Sequence, residues 1–296
     1  MIMALVYQGA STLGAALAVS GVSIVAVQAA RRRPILGSTL SLRWLTWAIL
    51  APLWLIAATW GLGRVGLLSL FAVIAVLEFS RLHPAIVRFD RWLLVGLAAV
   101  SLPLSALFGV NPIALIALVT VTSLVAPLVS QDVVNGPDRI GAVTVGYVLM
   151  VLPFILLDGF ATQISGAAFF TVGFAVALSD VTAFVVGSTM GKRRVAAALS
   201  PNKTVAGVVG SVIGAAAGTA LAIVVGIVDS GLWWLAPVVA VGAVAGDLTV
   251  SLLKRHRGVK DAASWLPGFG GLLDRVDSLL VVAFLVFVVV AVTGGA

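Results

Sequence analysis

The sequence predicts an all-α fold, a polytopic bundle of about ten transmembrane helices, from its composition, the length of its apolar stretches and the placement of its charges. Apolar residues make up 61% of the 296-residue chain and charged residues only 10%, whereas a soluble domain carries about 45–50% apolar and about 25% charged residues. Apolar stretches of roughly 16–22 residues recur, the length that a helix needs to cross roughly 30 Å of hydrocarbon. Lipid is therefore the expected solvent for most of the chain.

The spans are separated by charged and turn-forming residues. The first apolar stretch carries no charge before Arg31, and this order predicts a retained span rather than a cleavable signal peptide, whose positive charge precedes its apolar core. Gly, Pro, Asp or clustered Arg residues interrupt the later stretches. The predicted spans lie near 12–30, 43–62, 65–80, 92–109, 112–130, 141–157, 166–187, 206–227, 232–252 and 277–294.

The basic residues provide a test of this assignment. If every span crosses the bilayer, successive loops fall on alternating sides, and every Lys and Arg except Arg64 then falls on one side. Lys and Arg concentrate in cytoplasmic loops, so this side is predicted to face the cytosol in the cytoplasmic membrane. Since this face accounts for the net charge of +7, no nucleic-acid partner is expected. The absence of Cys excludes disulfides and thiolate metal sites.

The two halves of the chain differ in their polar content. Residues 1–140 are predicted to form an N-terminal transmembrane scaffold, and residues 141–296 a C-terminal transmembrane catalytic region. One span of the second half is also predicted to pack closely against a neighbouring helix, because small residues recur along it at helical spacing. These residues are Gly207, Gly210, Gly214 and Gly218.

Acidic residues inside the spans are costly in lipid and mark candidate functional sites. Asp180 and Asp247 each precede a cytosolic loop by about seven residues, which places both roughly 10 Å below it. Burial against an Arg or Lys is the alternative for either residue. Glu78 stands three residues before Arg81, so a local ion pair along one helix face is expected there. Asp158 is expected in a loop and needs no function.

The segment 247–277 carries the densest polar chemistry. Asp247 and Lys254 are two helical turns apart and share a face, and Asp274 and Asp277, three apart, share another. Carboxylates from two helices can hold Mg²⁺, which completes its shell with water and phosphate oxygens. Acids and cations together at the membrane surface suit a nucleoside triphosphate that meets a lipid headgroup.

Two further stretches can approach a phosphate. The Pro-Gly-Phe-Gly-Gly run at 267–271 offers bare backbone. In the loop 187–207, Ser200, Pro201 and Asn202 are expected to form a turn, and Thr204 to cap the helix that follows. A helix start at the cytosolic surface is a ready anion site. The nearby cations are Lys192, Arg193, Arg194, Lys203, Lys254, Arg255, Arg257, Lys260 and Arg275.

These motifs resemble the phosphatidate cytidylyltransferase family, the enzymes that make CDP-diacylglycerol. The family's pattern S-x-x-K-R-x-x-x-x-K-D, then P-G-H-G-G and D-R-x-D, is matched at Ser251, Lys254, Arg255, Lys260, Asp261, Pro267, Gly268, Gly270, Gly271, Asp274, Arg275 and Asp277. The family's upstream elements, an Asp before A-Y-x-x-G-x-x-x-G-K and then S-P-x-K-T-x-E-G, resemble Asp180, Ala183, Gly187, Gly191, Lys192, Ser200, Pro201, Lys203, Thr204 and Gly207. The likeness covers 180–278, and the first half resembles the family only as a run of spans.

The resemblance implies that the phosphate of phosphatidic acid attacks the α-phosphorus of CTP and that pyrophosphate leaves. It implies CTP, phosphatidic acid and the bilayer as partners and Mg²⁺ as the cofactor, and leaves open a second monovalent or divalent cation and a homodimer. Asp247 and Asp274 are the implied metal ligands, with Asp277 in support. The implied catalytic set is Asp247, Lys254, Arg255, Lys260, Asp261, Asp274, Arg275 and Asp277. The implied substrate-binding set is Asp180, Lys192, Ser200, Asn202, Lys203, Thr204, Gly270 and Gly271.

Three positions depart from the family pattern. Phe269 stands where the family has His, Phe184 where it has Tyr and Ala206 where it has Glu, and loss of the His removes a phosphate partner or proton donor. Two alternatives stay open: the same chemistry on another lipid phosphate or a related lipid kinase, and a non-enzymatic or transport relative whose Asp180 and Asp247 serve ions. A carrier places its sites near the midplane on broken helices, so acids near the cytosolic surface favour the enzyme.

Overall fold

The computed structural model describes residues 6–15, 18, 39–263, 265 and 270–294, and it is predominantly helical. Two short antiparallel strands, β1 (Arg194–Ala196) and β2 (Ser200–Thr204), form a hairpin, and a 3₁₀ turn (Ser230–Trp234) leads into the penultimate helix. The helices from Thr39 onward are α1 (Thr39–Thr59), α2 (Gly61–Leu82), α3 (Arg88–Phe108), α4 (Pro112–Val129), α5 (Gly136–Met150), α6 (Leu152–Gln163), α7 (Gly166–Met190), α8 (Val205–Val224), α9 (Leu235–His256) and α10 (Leu273–Thr293).

The described residues include 8 helical segments that are long and apolar enough to cross a membrane. The helices α5 and α6 together form one 28-residue segment, and the 3₁₀ turn and α9 together form another of 27 residues. A shorter apolar stretch, Ala48–Thr59, lies in α1. The all-α, multi-pass membrane fold is therefore confirmed. The predicted span 12–30 falls largely outside the described residues, and the count of ten spans stays a prediction.

Short connections join successive helices, so the chain alternates between two ends of the bundle. We call one end the basic face; it comprises the loops 83–87 and 130–135, the hairpin region 191–204, and the described residues 257–263, 265 and 270–272 between α9 and α10. Arg64 lies at the opposite end, where its Nε is 2.7 Å from Asp158 Oδ1 and both side chains are buried. The prediction that Asp158 is a loop residue is wrong, because it lies inside α6 and neutralises a cation that is costly to bury alone.

The helices α7 and α8 pack closely along the predicted stripe of small residues. A Cβ at Gly210 would lie 2.6 Å from the carbonyl oxygen of Thr182, and one at Gly218 would lie 2.8 Å from the Cα of Ala175. The hydroxyls of Ser179 and Ser211 are 2.6 Å apart across the same interface. The prediction from glycine spacing is confirmed, and this packing fixes the start of α8 beside the C-terminal part of α7.

The hairpin between α7 and α8 was not expected from the sequence. Ser200, Pro201 and Asn202 lie in β2, and the chain reverses at 197–199 instead, so the predicted turn at these three residues is wrong. Both strands of a two-stranded hairpin are edges, where a proline without an N–H is tolerated. Thr204 ends β2 and caps α8 as predicted, because its Oγ1 accepts the N–H of Gly207 at 3.1 Å.

Candidate active site

The two helices that carry the C-terminal motifs, α9 and α10, cross in close contact. A Cβ at Gly242 would lie 2.6 Å from Val282 Cγ2, and one at Gly246 would lie 2.9 Å from the carbonyl carbon of Asp277. Only glycine permits this approach of the two backbones. Because Asp247 follows Gly246 directly, the crossing brings it beside the first turns of α10.

Three carboxylates from three helices meet near this crossing, and we call them the acid cluster: Asp180 of α7, Asp247 of α9 and Asp277 of α10. They lie near enough for their negative charges to repel one another, and Arg275 offsets part of this repulsion. The hydroxyl of Ser278 donates to Asp180 Oδ1 at 3.1 Å, and Asp277 Oδ1 accepts the Ser278 N–H at 2.8 Å. The structure thus brings together three of the acids that the sequence singled out.

Lys203 joins the hairpin to the acid cluster. Its Nζ lies 2.7 Å from Asp247 Oδ2 and donates to the carbonyl oxygen of Val244 at 3.3 Å. The other carboxylate oxygen of Asp247 accepts the hydroxyl of Ser251 at 3.3 Å. The side chain of Asp247 is 36% exposed, whereas Asp277 is buried. Asp247 is therefore the member of the cluster that a solute can reach most readily.

Asp274 is held differently, as an internal ion pair. Its Oδ1 lies 2.6 Å from Lys254 Nζ, and its Oδ2 accepts the N–H groups of Ala262 at 3.1 Å and Gly271 at 3.0 Å. Gly270 has a φ of 87°, in the left-handed region, and a Cβ there would lie 2.8 Å from Asp274 Oδ2. Gly270, which was predicted to approach a ligand, thus lies against a carboxylate of the protein.

The remaining predicted residues differ in their contacts and exposure. Arg255 donates from Nε to the carbonyl oxygen of Leu199 at 3.1 Å and from Nη1 to that of Val259 at 3.0 Å, so it joins the hairpin tip to the end of α9. Phe184 is exposed on α7, and Ala206 lies in the first turn of α8. Pro267, Gly268 and Phe269 fall outside the described residues. Lys192, Asn202, Lys260 and Asp261 are exposed, and Ser200 is half-buried in β2.

The acid cluster suits a divalent cation by its chemistry. The three acids lie within electrostatic range of one another, but no three His, Cys, Asp or Glu side chains within the described ranges are close enough together to form a ready-made metal site. Mg²⁺ needs only one or two protein carboxylates, because water and substrate phosphates complete its shell. A divalent ion would also offset the repulsion among the three acids. Asp247 would exchange its partly exposed contact with Lys203 for the metal, and Asp274 would have to release the buried Lys254. The set of Asp247, Asp274 and Asp277 therefore stays a prediction.

Glu78 of α2 belongs to this region, although the sequence assigned it a local partner. Its Oε1 accepts Trp265 Nε1 at 2.5 Å and the N–H of Leu272 at 2.9 Å, and its Oε2 accepts the N–H of Leu273 at 2.8 Å. No salt bridge within the described part of the chain joins it to Arg81, so the predicted ion pair is wrong. Its position at the same end of the bundle as the other acids is the one sequence signal that could have pointed to the site.

Comparison with known proteins agrees with the motifs. The chain matches the model of the cytidylyltransferase family over residues 41–293. It is 31% identical over 195 residues to a phosphatidate cytidylyltransferase of Staphylococcus saprophyticus, and the aligned region covers 64% of this chain and 74% of that protein. It is 41% identical over 119 residues to a phosphatidate cytidylyltransferase of Brucella abortus, and the aligned region covers 38% of this chain and 43% of that protein. An uncharacterized protein of Escherichia coli, YnbB, is 31% identical over 235 residues, which are 73% of this chain and 76% of that protein.

Proposed function

Because the chain belongs to the cytidylyltransferase family, we propose that it transfers the cytidylyl group of CTP to phosphatidic acid and so makes CDP-diacylglycerol. The observation that carries the proposal is the convergence of Asp180, Asp247 and Asp277 beside Lys203 and Arg275 on the basic face. Acids and cations in one place can hold a metal and a polyphosphate together. The relatives named phosphatidate cytidylyltransferase support phosphatidic acid as the acceptor.

The reaction exchanges one phosphoanhydride bond for another. A phosphate oxygen of phosphatidic acid bonds to the α-phosphorus of CTP, the bond from that phosphorus to the bridging oxygen of the β-phosphate breaks, and pyrophosphate carries away the electron pair. The attacking phosphate is already anionic, so no general base is required. Positioning and charge neutralisation can supply most of the rate acceleration.

The residues of the chain divide this work by position. Lys203 holds a positive charge at the partly exposed edge of the acid cluster, where the phosphates of CTP would bind, and Arg275 holds another beside Asp277. Asp247 and Asp277 are the residues that would hold Mg²⁺. When bound there, Mg²⁺ supplies positive charge to the phosphate oxygens. The buried pair of Lys254 and Asp274 joins α9 and α10 at their loop ends, nearer the basic face than Asp247 and Asp277.

The orientation of the site follows from charge. Lys and Arg concentrate on the cytosolic side of membrane proteins, so we infer that the basic face lies at the cytosolic surface of the cytoplasmic membrane. CTP would reach Asp247 from the cytosol, and the phosphate of phosphatidic acid would enter from the adjoining leaflet. Both substrates would then meet at the level of the headgroups.

The test is a transfer assay with the purified protein in detergent micelles. The assay contains phosphatidic acid, Mg²⁺ and CTP that is labelled at the α-phosphorus. The label is measured in CDP-diacylglycerol, and the released pyrophosphate, which carries no label, is measured separately. We expect CDP-diacylglycerol and pyrophosphate in equal molar amounts. Their formation should require both substrates and should stop when Mg²⁺ is chelated. Transfer to a different lipid phosphate but not to phosphatidic acid would replace the proposed acceptor, and absence of transfer to any lipid phosphate would contradict the cytidylyltransferase proposal.

A further inference from the structure

The first turn of α10 has no cap from its own neighbourhood. Helix starts leave their first N–H groups without partners inside the helix, and a nearby Ser, Thr, Asp or Asn side chain normally accepts them. Leu272 occupies the N-cap position and provides no such side chain. The N–H groups of Leu272 and Leu273 instead donate to the two carboxylate oxygens of Glu78, at 2.9 and 2.8 Å. A residue of α2, 194 positions before Leu272, therefore caps this helix.

The charge of Glu78 is balanced by N–H groups rather than by a cation. The side chain is 1% exposed, and none of the salt bridges found among the described residues includes it. Two backbone N–H groups, the indole N–H of Trp265 and the positive end of the α10 dipole surround it instead. Such an environment stabilises a carboxylate and holds it in one place.

The glycine at 271 follows from this contact. A Cβ at Gly271 would lie 2.7 Å from the carboxylate carbon of Glu78, so any other residue would push the two apart. The N–H of Gly271 donates in turn to Asp274 Oδ2 at 3.0 Å. One short stretch of backbone is therefore held between two carboxylates, Glu78 from the first half of the chain and Asp274 from the second.

We propose that Glu78 is a positioning residue of the active site, which fixes the turn bearing Asp274, Arg275 and Asp277 by capping α10. This inference rests on the proposed function for its catalytic consequence, but the cap itself is a property of the fold. It also gives the first half of the chain a part in the site that a passive scaffold would not have. Glu78 touches no reacting atom, so its effect reaches the chemistry through the placement of Arg275 and Asp277.

The variant that tests the cap is Glu78→Gln, which keeps the size of the side chain but replaces one acceptor oxygen with an NH₂ group. That group faces a backbone N–H, so one bond of the cap is lost. Amide hydrogen exchange, followed by mass spectrometry on peptides that cover 270–277, is expected to accelerate at least about tenfold, with exchange in α7 and α8 unchanged. Gly271→Ala displaces Glu78 from the other side and is expected to accelerate the same peptides.

The positioning role is tested by turnover and by the Mg²⁺ requirement. Glu78→Gln is expected to lower kcat for CDP-diacylglycerol formation at least about tenfold and to raise the Mg²⁺ concentration that gives half-maximal rate, because Asp277 is displaced. The matched control is Asp158→Asn, which removes a buried carboxylate at the opposite end of the bundle. It is expected to lower the melting temperature but to leave kcat, the Mg²⁺ requirement and exchange at 270–277 unchanged.

The two proposals fail in different ways. Unchanged exchange at 270–277 in Glu78→Gln, or acceleration spread evenly over the bundle, would overturn the cap whether or not the protein is active. Local acceleration with wild-type kcat and Mg²⁺ requirement would overturn the positioning role. A wild-type protein that makes no CDP-diacylglycerol, yet shows the local acceleration in its Glu78→Gln variant, would contradict the proposed function and retain the cap.

Discussion

The acid cluster and the turn around Asp274 share the helices α9 and α10 but differ in how their negative charge is compensated. In the acid cluster, Asp180, Asp247 and Asp277 repel one another, and Lys203 and Arg275 compensate them only in part. At Asp274, a single buried carboxylate is matched by the buried ammonium group of Lys254 and by two backbone N–H groups. Uncompensated charge in a buried place is retained where a ligand will complete it, whereas satisfied charge stabilises the fold. We therefore expect the chemistry in the first region and a structural role for the second.

The largest effect is expected from Asp247→Asn. Removal of this charge takes away the accessible acid of the cluster, so turnover should fall by at least about 100-fold, the size seen when a preorganised electrostatic group is lost. The half-exposed position of Asp247 means that the melting temperature should change little. The readouts are the transfer assay and a thermal melt in detergent. Asp229→Asn, the same change at an exposed site on the opposite end of the bundle, should keep wild-type turnover, and wild-type turnover in Asp247→Asn would refute the role of the cluster.

Asp274→Asn should distinguish the roles of the two regions, because it leaves Lys254 buried without its partner. Breaking a buried ion pair costs about 3–5 kcal/mol, so the free energy of unfolding should fall by that amount and turnover should fall with it. Denaturant or thermal unfolding gives the first quantity, and the transfer assay at a temperature where the variant is folded gives the second. A variant with wild-type stability and no activity would show that Asp274 is a ligand rather than an architectural residue.

Lys203→Met should have a smaller effect, which is confined to the binding of CTP. This side chain forms a partly exposed pair with Asp247, and such pairs contribute little to stability, about 0–1 kcal/mol. Loss of one phosphate-binding cation is expected to raise the KM for CTP about tenfold, equivalent to about 1.4 kcal/mol. Initial rates over a range of CTP concentrations measure the change in KM. Arg88→Met, at an exposed cation of the same face that belongs to neither implied set, is the control. A lower kcat at unchanged KM would instead indicate that Lys203 stabilises the transition state rather than bound CTP.

Gly270→Ala is expected to give the smallest effect. Its φ of 87° costs a residue with a Cβ about 1–2 kcal/mol, and the added methyl group presses on Asp274. A melting temperature lowered by a few degrees is expected, with wild-type KM for CTP at low temperature. Gly258→Ala, at another positive φ of 74° but with open space around it, isolates the backbone cost. If both variants melt alike, the contact with Asp274 contributes nothing.

The parts of the fold that the sequence predicted correctly depend on local patterns. The length of the apolar stretches predicted the helices, and the spacing of the glycines predicted the α7–α8 interface. Each of these patterns is visible within one continuous stretch of the sequence. The cap at Thr204 was likewise predicted from its immediate neighbours. The motif spacing placed Asp180, Asp247 and Asp277 at one end of the bundle, and the structure brings them together.

The parts that the sequence did not predict depend on distant partners. Glu78 meets backbone N–H groups of α10, and backbone groups leave no mark in the sequence. Asp158 pairs with Arg64 across 94 positions, which a search along one helix cannot detect. The hairpin at 194–204 is short and mostly exposed, so it lacks the alternation of apolar and polar residues that marks a strand.

The pair of Arg64 and Asp158 also bears on how the protein is assembled in the membrane. Arg64 is made early, at the start of α2, but its counter-charge is 94 residues further on and does not exist until the ribosome has produced α6. During that interval the guanidinium has to stay hydrated or be held by the insertion machinery. We therefore expect the early helices to reach their final depth only late in translation, when α6 arrives and locks them.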